Sequence, residues 1–218
     1  MSALLDPELL TTPEAAVVAG VEVRDIHRLI DEHILPEELY SSEATRRVWS
    51  GACALVRFWY ESAEILTPSE RRYTINHLFS ESKTNHVAWT LKRWRSTKPD
   101  WTCHHRFLTL NLSHFIDDTI EEQDKLARAR EIVIEDPMIL GGLPVIKGTR
   151  VPVYDVAASA AAGLSVSEIK DDYPSLSEEK IELAILYAKA TPQRGRPKLS
   201  ESRKGKPISR RVFPRRSA

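Results

Sequence analysis

The chain has 218 residues, with 31 basic and 31 acidic side chains, 42% hydrophobic and 28% charged, a composition that excludes wholesale disorder and fits a soluble globular protein. No run approaches the ~18 apolar residues of a membrane span, residues 1–7 lack the basic and apolar regions of a secretory leader, and the two cysteines, Cys53 and Cys103, make no disulfide framework, so a reducing cytoplasm is expected. The zero net charge hides an asymmetry: residues 192–218 hold ten bases and one acid, which leaves 21 bases against 30 acids in an acidic body.

Residues 1–80 read as a helical domain. Thr12-Pro13-Glu14 sets a capping residue before a proline at the first helical position, where its missing N–H costs nothing, and predicts a short helix over 15–19 ended by Gly20. Val23, Ile26 and Ile30 predict a second helix over 23–33, with Pro36 stopping the chain beyond it. Val48, Ala52, Leu55, Val56 and Trp59 lie on one stripe of a longer helix over 48–64. Thr67-Pro68-Ser69-Glu70 is a capping box opening a helix that buries Ile75, Leu78 and Phe79.

Residues 81–106 are weakly patterned and read as a linker or arm. Trp89, Trp94 and Trp101 interleave there with Lys83, Lys92, Arg93, Arg95, Lys98 and Arg106, a mixture that suits a protein interface or stacking on nucleic acid. Residues 107–190 form a second domain. Strict alternation over 108–113 predicts a half-buried strand, and a helix follows from Asp117 and Asp118 to Arg130, acids early and bases late as the helix dipole prefers. Residues 132–134 and 145–147 are short strands, Gly148-Thr149-Arg150 a turn, and a helix then runs to about Ala162, closed by Gly163. Ser165-Val166-Ser167-Glu168 caps a short helix to Asp171, and Ile181, Ala184, Ile185 and Ala188 line one face of the last. The fold class is mainly α with a small β component. It comprises a helical N-terminal domain with a helix-turn-helix, a C-terminal β-hairpin plus trihelical winged-helix-like domain, and a tail, 191–218, too polar and proline-rich to fold alone.

The run Asp136-Pro137-Met138-Ile139-Leu140-Gly141-Gly142-Leu143-Pro144-Val145-Ile146-Lys147-Gly148-Thr149-Arg150-Val151-Pro152-Val153 closely resembles the signature of a small bacterial and archaeal domain family. That family was long catalogued only as of unknown function and is associated with antitoxins of VapBC-like toxin–antitoxin pairs. Ala162-Gly163-Leu164-Ser165, Glu168-Ile169, Tyr173-Pro174-Ser175-Leu176-Ser177 and Leu186-Tyr187-Ala188 follow the same pattern in order. The resemblance implies a non-enzymatic VapB-type antitoxin that binds a PIN-like ribonuclease toxin, represses its own operon through operator DNA and forms a homodimer on its C-terminal domain.

The residues themselves leave the sites more open. Thr11 to Leu35 has the cadence of a MerR- or excisionase-like helix-turn-helix, in which Arg24, His27 and Arg28 of the second helix would reach guanine edges or phosphates. Asp25, Asp31 and Glu32 on the same helix repel phosphate, and a packing-only helical hairpin is the alternative. A second helix-turn-helix over 165–190 opens its last helix with Glu178, Glu179 and Glu182, which points to dimerisation or toxin docking instead of DNA. Gly141 to Arg150 lacks the Gly-Lys-Ser/Thr ending of a phosphate loop and reads as a hairpin. Cys103-His104-His105 has no second ligand pair at zinc-like spacing, and no metal, cofactor or catalytic set is expected.

The tail is the strongest physical signal. Arg194, Arg196, Lys198, Arg203, Lys204, Lys206, Arg210, Arg211, Arg215 and Arg216, with Phe213 as an apolar anchor, could order on an acidic partner such as the carboxylate-lined pocket of a PIN nuclease. Binding to polyanions, or an inert solvated tail, are the competing readings. The expectation is an antitoxin whose tail inhibits the toxin while its N-terminal helices bind the operator. The runner-up is a stand-alone DNA-binding transcription regulator whose tail grips phosphate.

Overall fold

The computed structural model describes residues 9–43, 45–82 and 101–193. Strand β1 (Leu9–Thr11) leads into α1 (Thr12–Ala19) and α2 (Val23–Asp31). A 3-10 turn at Glu37–Leu39 precedes β2 (Tyr40–Ser41), β3 (Arg47–Trp49), α3 (Ala52–Glu61) and α4 (Pro68–Ser82). Then come β4 (Thr102–His105), β5 (Leu108–Asn111), α5 (Ser113–Glu131), β6 (Val133–Ile134), β7 (Val145–Ile146), α6 (Val153–Ala161), α7 (Val166–Asp172) and α8 (Glu178–Ala190). The described chain is thus mainly helical, with three small antiparallel sheets in the orders β1-β3-β2, β4-β5 and β6-β7.

Local chemistry explains most of the boundaries. Thr67 and Glu70 exchange bonds at the start of α4, with Glu70 Oε2 accepting from the Thr67 amide at 2.8 Å, and Ser165 and Glu168 do the same at α7. Gly20 adopts φ +71 and closes α1. The N-cap of α1 is Thr11, not Thr12: Glu14 Oε2 accepts from the Thr11 amide at 2.8 Å, and Pro13 then occupies the second helical position. Helix α2 ends at Asp31, two residues short of expectation, because His33 turns to φ +48.

The expected helix over 48–64 begins as a strand. Val48 pairs with Leu10 on one side and Tyr40 on the other, so β3 is the central strand of the first sheet, and the helix starts only at Ala52. The end of the expected linker is also structured: residues 102–105 form β4 and pair with β5, which spans Leu108–Asn111. Helix α5 opens at Ser113, four residues before Asp117.

Two hydrophobic clusters hold these elements. The first joins Leu10, Ile26, Leu29, Val48, Phe58 and Ile75 to Cys103, Leu112, Ile116 and Leu126, so β4, β5 and α5 complete the core that the N-terminal helices begin. The second gathers Ile146, Val153, Val156, Ile169, Leu176, Ile181 and Ala184. Helix α8 serves both: Ile181 and Ala184 are buried in the second cluster, Ala190 in the first. Each fully buried aliphatic side chain removes enough apolar surface from water to contribute about 2 kcal/mol. Arg130 to Glu14 (2.7 Å) and Arg128 to Glu179 (3.0 Å) tie α5 to α1 and α8 across the same junction.

Candidate nucleic-acid interface

The candidate site is built on α1, α2 and the β2–β3 hairpin. Apolar residues fix α2 from beneath, with Ile26, Leu29 and Ile30 all buried. Two further bonds hold it from the side: the Tyr60 hydroxyl donates to the Asp25 carbonyl at 3.3 Å, and Arg72 Nη1 donates to the His33 carbonyl at 2.8 Å. The opposite face carries the three bases expected from the sequence. Arg24 is exposed and has no hydrogen-bond or ion-pair partner among the described residues. Arg28 is exposed and donates to Glu32 Oε1 at 2.7 Å. That exposed pair, one helical turn apart, stabilises little, so Arg28 is easily redirected to a phosphate.

His27 is half-buried and has company that the sequence did not announce. Arg46, just ahead of β3, sets Nη1 3.2 Å from His27 Nδ1 and donates through Nη2 to Asp31 Oδ1 at 2.6 Å. That hydrogen bond holds the Asp31 carboxyl below its ordinary value. The acids that weigh against DNA on this helix are therefore all engaged. Asp25 Oδ2 accepts from the Glu22 amide at 3.1 Å as the helix cap, Asp31 pairs with Arg46, and Glu32 with Arg28. Arg24 is left as the uncompensated positive charge of the face.

Arg57 supports the turn between α1 and α2. Its guanidinium lies so close under Gly20 that a Cβ there would stand 3.0 Å from Nη2, and its Nη1 donates to Asp118 Oδ2 of α5 at 3.1 Å. The turn is thus fixed to the long helix that completes the core.

Most of the remaining candidates lie outside the described residues. Every residue of the expected toxin-binding set, Arg194, Arg196, Lys198, Arg203, Lys204, Arg210, Arg211, Phe213, Arg215 and Arg216, lies outside the described residues. So do Trp89 and Trp94. Strand alternation puts Cys103 in the core and His104 on the exposed side, where its Nδ1 meets Thr109 Oγ1 at 3.1 Å, while His105 stacks on Tyr73 with ring centroids 3.7 Å apart. No cluster of three metal-binding side chains occurs among the described residues, and no helix there is long and apolar enough to cross a membrane. The sequence also gave no notice of the apolar surface on the β6–β7 loop, where Met138 is 86% exposed and Leu140 and Leu143 about half exposed.

Residues 133–188 match the family described as "Protein of unknown function (DUF433)", a span that coincides with the second hydrophobic cluster. Over 189 residues the chain is 51% identical to the uncharacterized protein y4eO of Sinorhizobium fredii, covering 87% of this chain and 84% of that protein. Among solved structures, Rv2018 from Mycobacterium tuberculosis is 16% identical and aligns over 83% of this chain and 98% of its own, with a TM-score of 0.35. The chain belongs to the same family as Sinorhizobium fredii y4eO, and its own residues 133–188 match the DUF433 model.

Proposed function

We propose that the protein is the antitoxin of a toxin–antitoxin pair: a non-enzymatic, cytoplasmic homodimer that represses its own operon and neutralises a PIN-like ribonuclease. On this reading α1, the turn at Gly20 and α2 are a helix-turn-helix, the β2–β3 hairpin is its wing, and α2 enters the major groove of operator DNA. The observation that carries the DNA-binding half is Arg24, exposed and uncompensated on a helix whose acids are each engaged elsewhere. Helices α6, α7 and α8 with β6–β7 form the winged-helix-like C-terminal unit. Its exposed Met138, Leu140 and Leu143 offer the kind of apolar surface that two identical copies can bury against each other.

The toxin-binding half rests on sequence chemistry. Arginine forks bind clustered carboxylates in bidentate fashion, and the segment 194–218 carries seven arginines and three lysines against one acid. The test is co-expression with the gene next to its own, followed by co-purification at high salt. The proposal expects a stable complex with a small nuclease that regains activity when residues 192–218 are removed. Continued neutralisation by the truncated protein would overturn the assignment of the tail.

A second reading, a stand-alone DNA-binding regulator, is favoured by one observation: the bases and acids of the candidate face all come from residues 22–46, and the side chains that support it, Arg57, Tyr60, Arg72 and Asp118, all precede the tail. Salt-sensitive retention on DNA with no co-purifying partner would select it.

A further inference from the structure

We infer that Arg46 is a positioning residue that fixes the tautomer of His27, so that His27 reads a hydrogen-bond acceptor on a purine edge in the major groove. The inference rests on the DNA-binding reading above and names the base chemistry which that face selects. A guanidinium has five N–H donors and no acceptor. With Arg46 Nη1 3.2 Å away, His27 Nδ1 must offer its lone pair, because an Nδ1–H would set one donor against another. The proton therefore sits on Nε2, which has no partner among the described residues. Asp31 and His27 together orient Arg46: Nη2 donates to the Asp31 carboxylate at 2.6 Å while Nη1 faces the imidazole, so one guanidinium spans two partners on α2.

The outcome is an imidazole that carries its N–H on Nε2. His27 follows Arg24 by three positions, so both side chains lie on one face of α2 and both present N–H groups alone. In the major groove the matching acceptors are guanine O6 and N7, adenine N7 and thymine O4, while the amino groups of cytosine and adenine are donors and are rejected. With Asp31 held by Arg46 and Glu32 by Arg28, the groups of this face left free to pair are the Arg24 guanidinium and His27 Nε2–H, both donors, which favours purine N7 positions, guanine above all because it offers two acceptors side by side.

The test begins with selection of binding sites from random duplexes by the full-length protein, followed by 7-deazapurine replacement at each purine of the selected site. Loss of one N7 acceptor at the His27 position is expected to weaken wild-type binding about fivefold. His27→Ala removes that sensitivity while leaving sensitivity at the Arg24 position. Arg46→Met, which keeps an aliphatic stem but no donor, blunts the sensitivity at the His27 purine, and Arg46→Lys restores part of it; far-UV circular dichroism confirms that each variant is folded. A selected sequence with no 7-deazapurine effect at any purine, or an unchanged effect in Arg46→Met, overturns the inference and leaves DNA binding standing. Failure to retain any duplex sinks both.

Discussion

Arg130 at the end of α5 donates to Oε1 of Glu14 at 2.7 Å, while the other oxygen of the same carboxylate accepts from the amide and hydroxyl of Thr11. One side chain thus caps α1 and anchors it to the helix that bears on the C-terminal domain. Glu14→Ala removes both functions and is expected to destabilise the protein by about 1–2 kcal/mol, most of it from the cap, since the ion pair is partly exposed. Glu14→Gln keeps an acceptor for Thr11 and should cost less than half as much. Urea unfolding of the two variants checks the order.

Gly20 and Gly141 separate backbone strain from steric crowding. Both have positive φ, +71 and +69, but a Cβ at Gly20 would stand 3.0 Å from Arg57 Nη2, whereas at Gly141 nothing lies within 4 Å. Gly141→Ala is expected to cost about 1 kcal/mol for its left-handed conformation alone. Gly20→Ala should cost more, because the guanidinium has to give way by a few tenths of an ångström and its bond to Asp118 is strained. Paired thermal melts decide this; equal losses would mean that Arg57 gives way freely.

Acid should weaken the helix starts first. The bonds from Thr67 and Ser165 hold the Glu70 and Glu168 carboxyls below their ordinary values. A carboxyl with a depressed folded-state pKa contributes stability that is fully present above its unfolded value and is lost as pH falls through the folded one. Stability is therefore expected to decline on acidification below the ordinary carboxylate range, and Glu168→Gln to flatten that decline. Ser165→Ala should cost about 1 kcal/mol at neutral pH. Denaturant midpoints measured across the acid limb would show an unchanged slope in Glu168→Gln if the capping box played no part.

Because α8 contributes to both hydrophobic clusters, the two should unfold together. Leu126→Ala in the first and Ile146→Ala in the second each remove a fully buried side chain and are expected to cost about 2–5 kcal/mol. Calorimetry should show one transition shifted as a whole by either substitution. Two separated transitions, each responding to only one of them, would contradict a shared junction.

The parts of this fold that were legible in the sequence are those written in consecutive residues. The boxes at Thr67-Glu70 and Ser165-Glu168, the stops at Gly20 and Gly163, and the β6 and β7 strands all carry their own local chemistry. At α1 the sequence reading sets the cap on Thr12, one residue late, although the spacing from Thr11 to Glu14 is that of a capping box. Strand β3 was not legible. Its three residues owe their conformation to Leu10, far off in sequence, and to Tyr40 across the hairpin, and Val48 happens to continue the apolar stripe of α3. Hairpin β4–β5 turns through Arg106 and Phe107, with Arg106 at φ +54, and lacks the Asn-Gly or Gly signal that marks such turns. At the candidate interface, Arg24, His27 and Arg28 were visible because helical spacing gathers them. Arg46 was hidden because only the folding of the hairpin brings it, 19 residues on, to His27.

The most direct measurement is fluorescence anisotropy of the full-length protein with the duplex immediately upstream of its own gene, at two salt concentrations, beside Arg24→Ala. The account predicts that the wild type binds with an affinity that falls as salt rises, and that Arg24→Ala binds about 5- to 150-fold more weakly, the loss of a base-edge contact worth ~1–3 kcal/mol. Equal binding by the two proteins, or none by the wild type, would contradict the assignment of α2 as the DNA-reading helix.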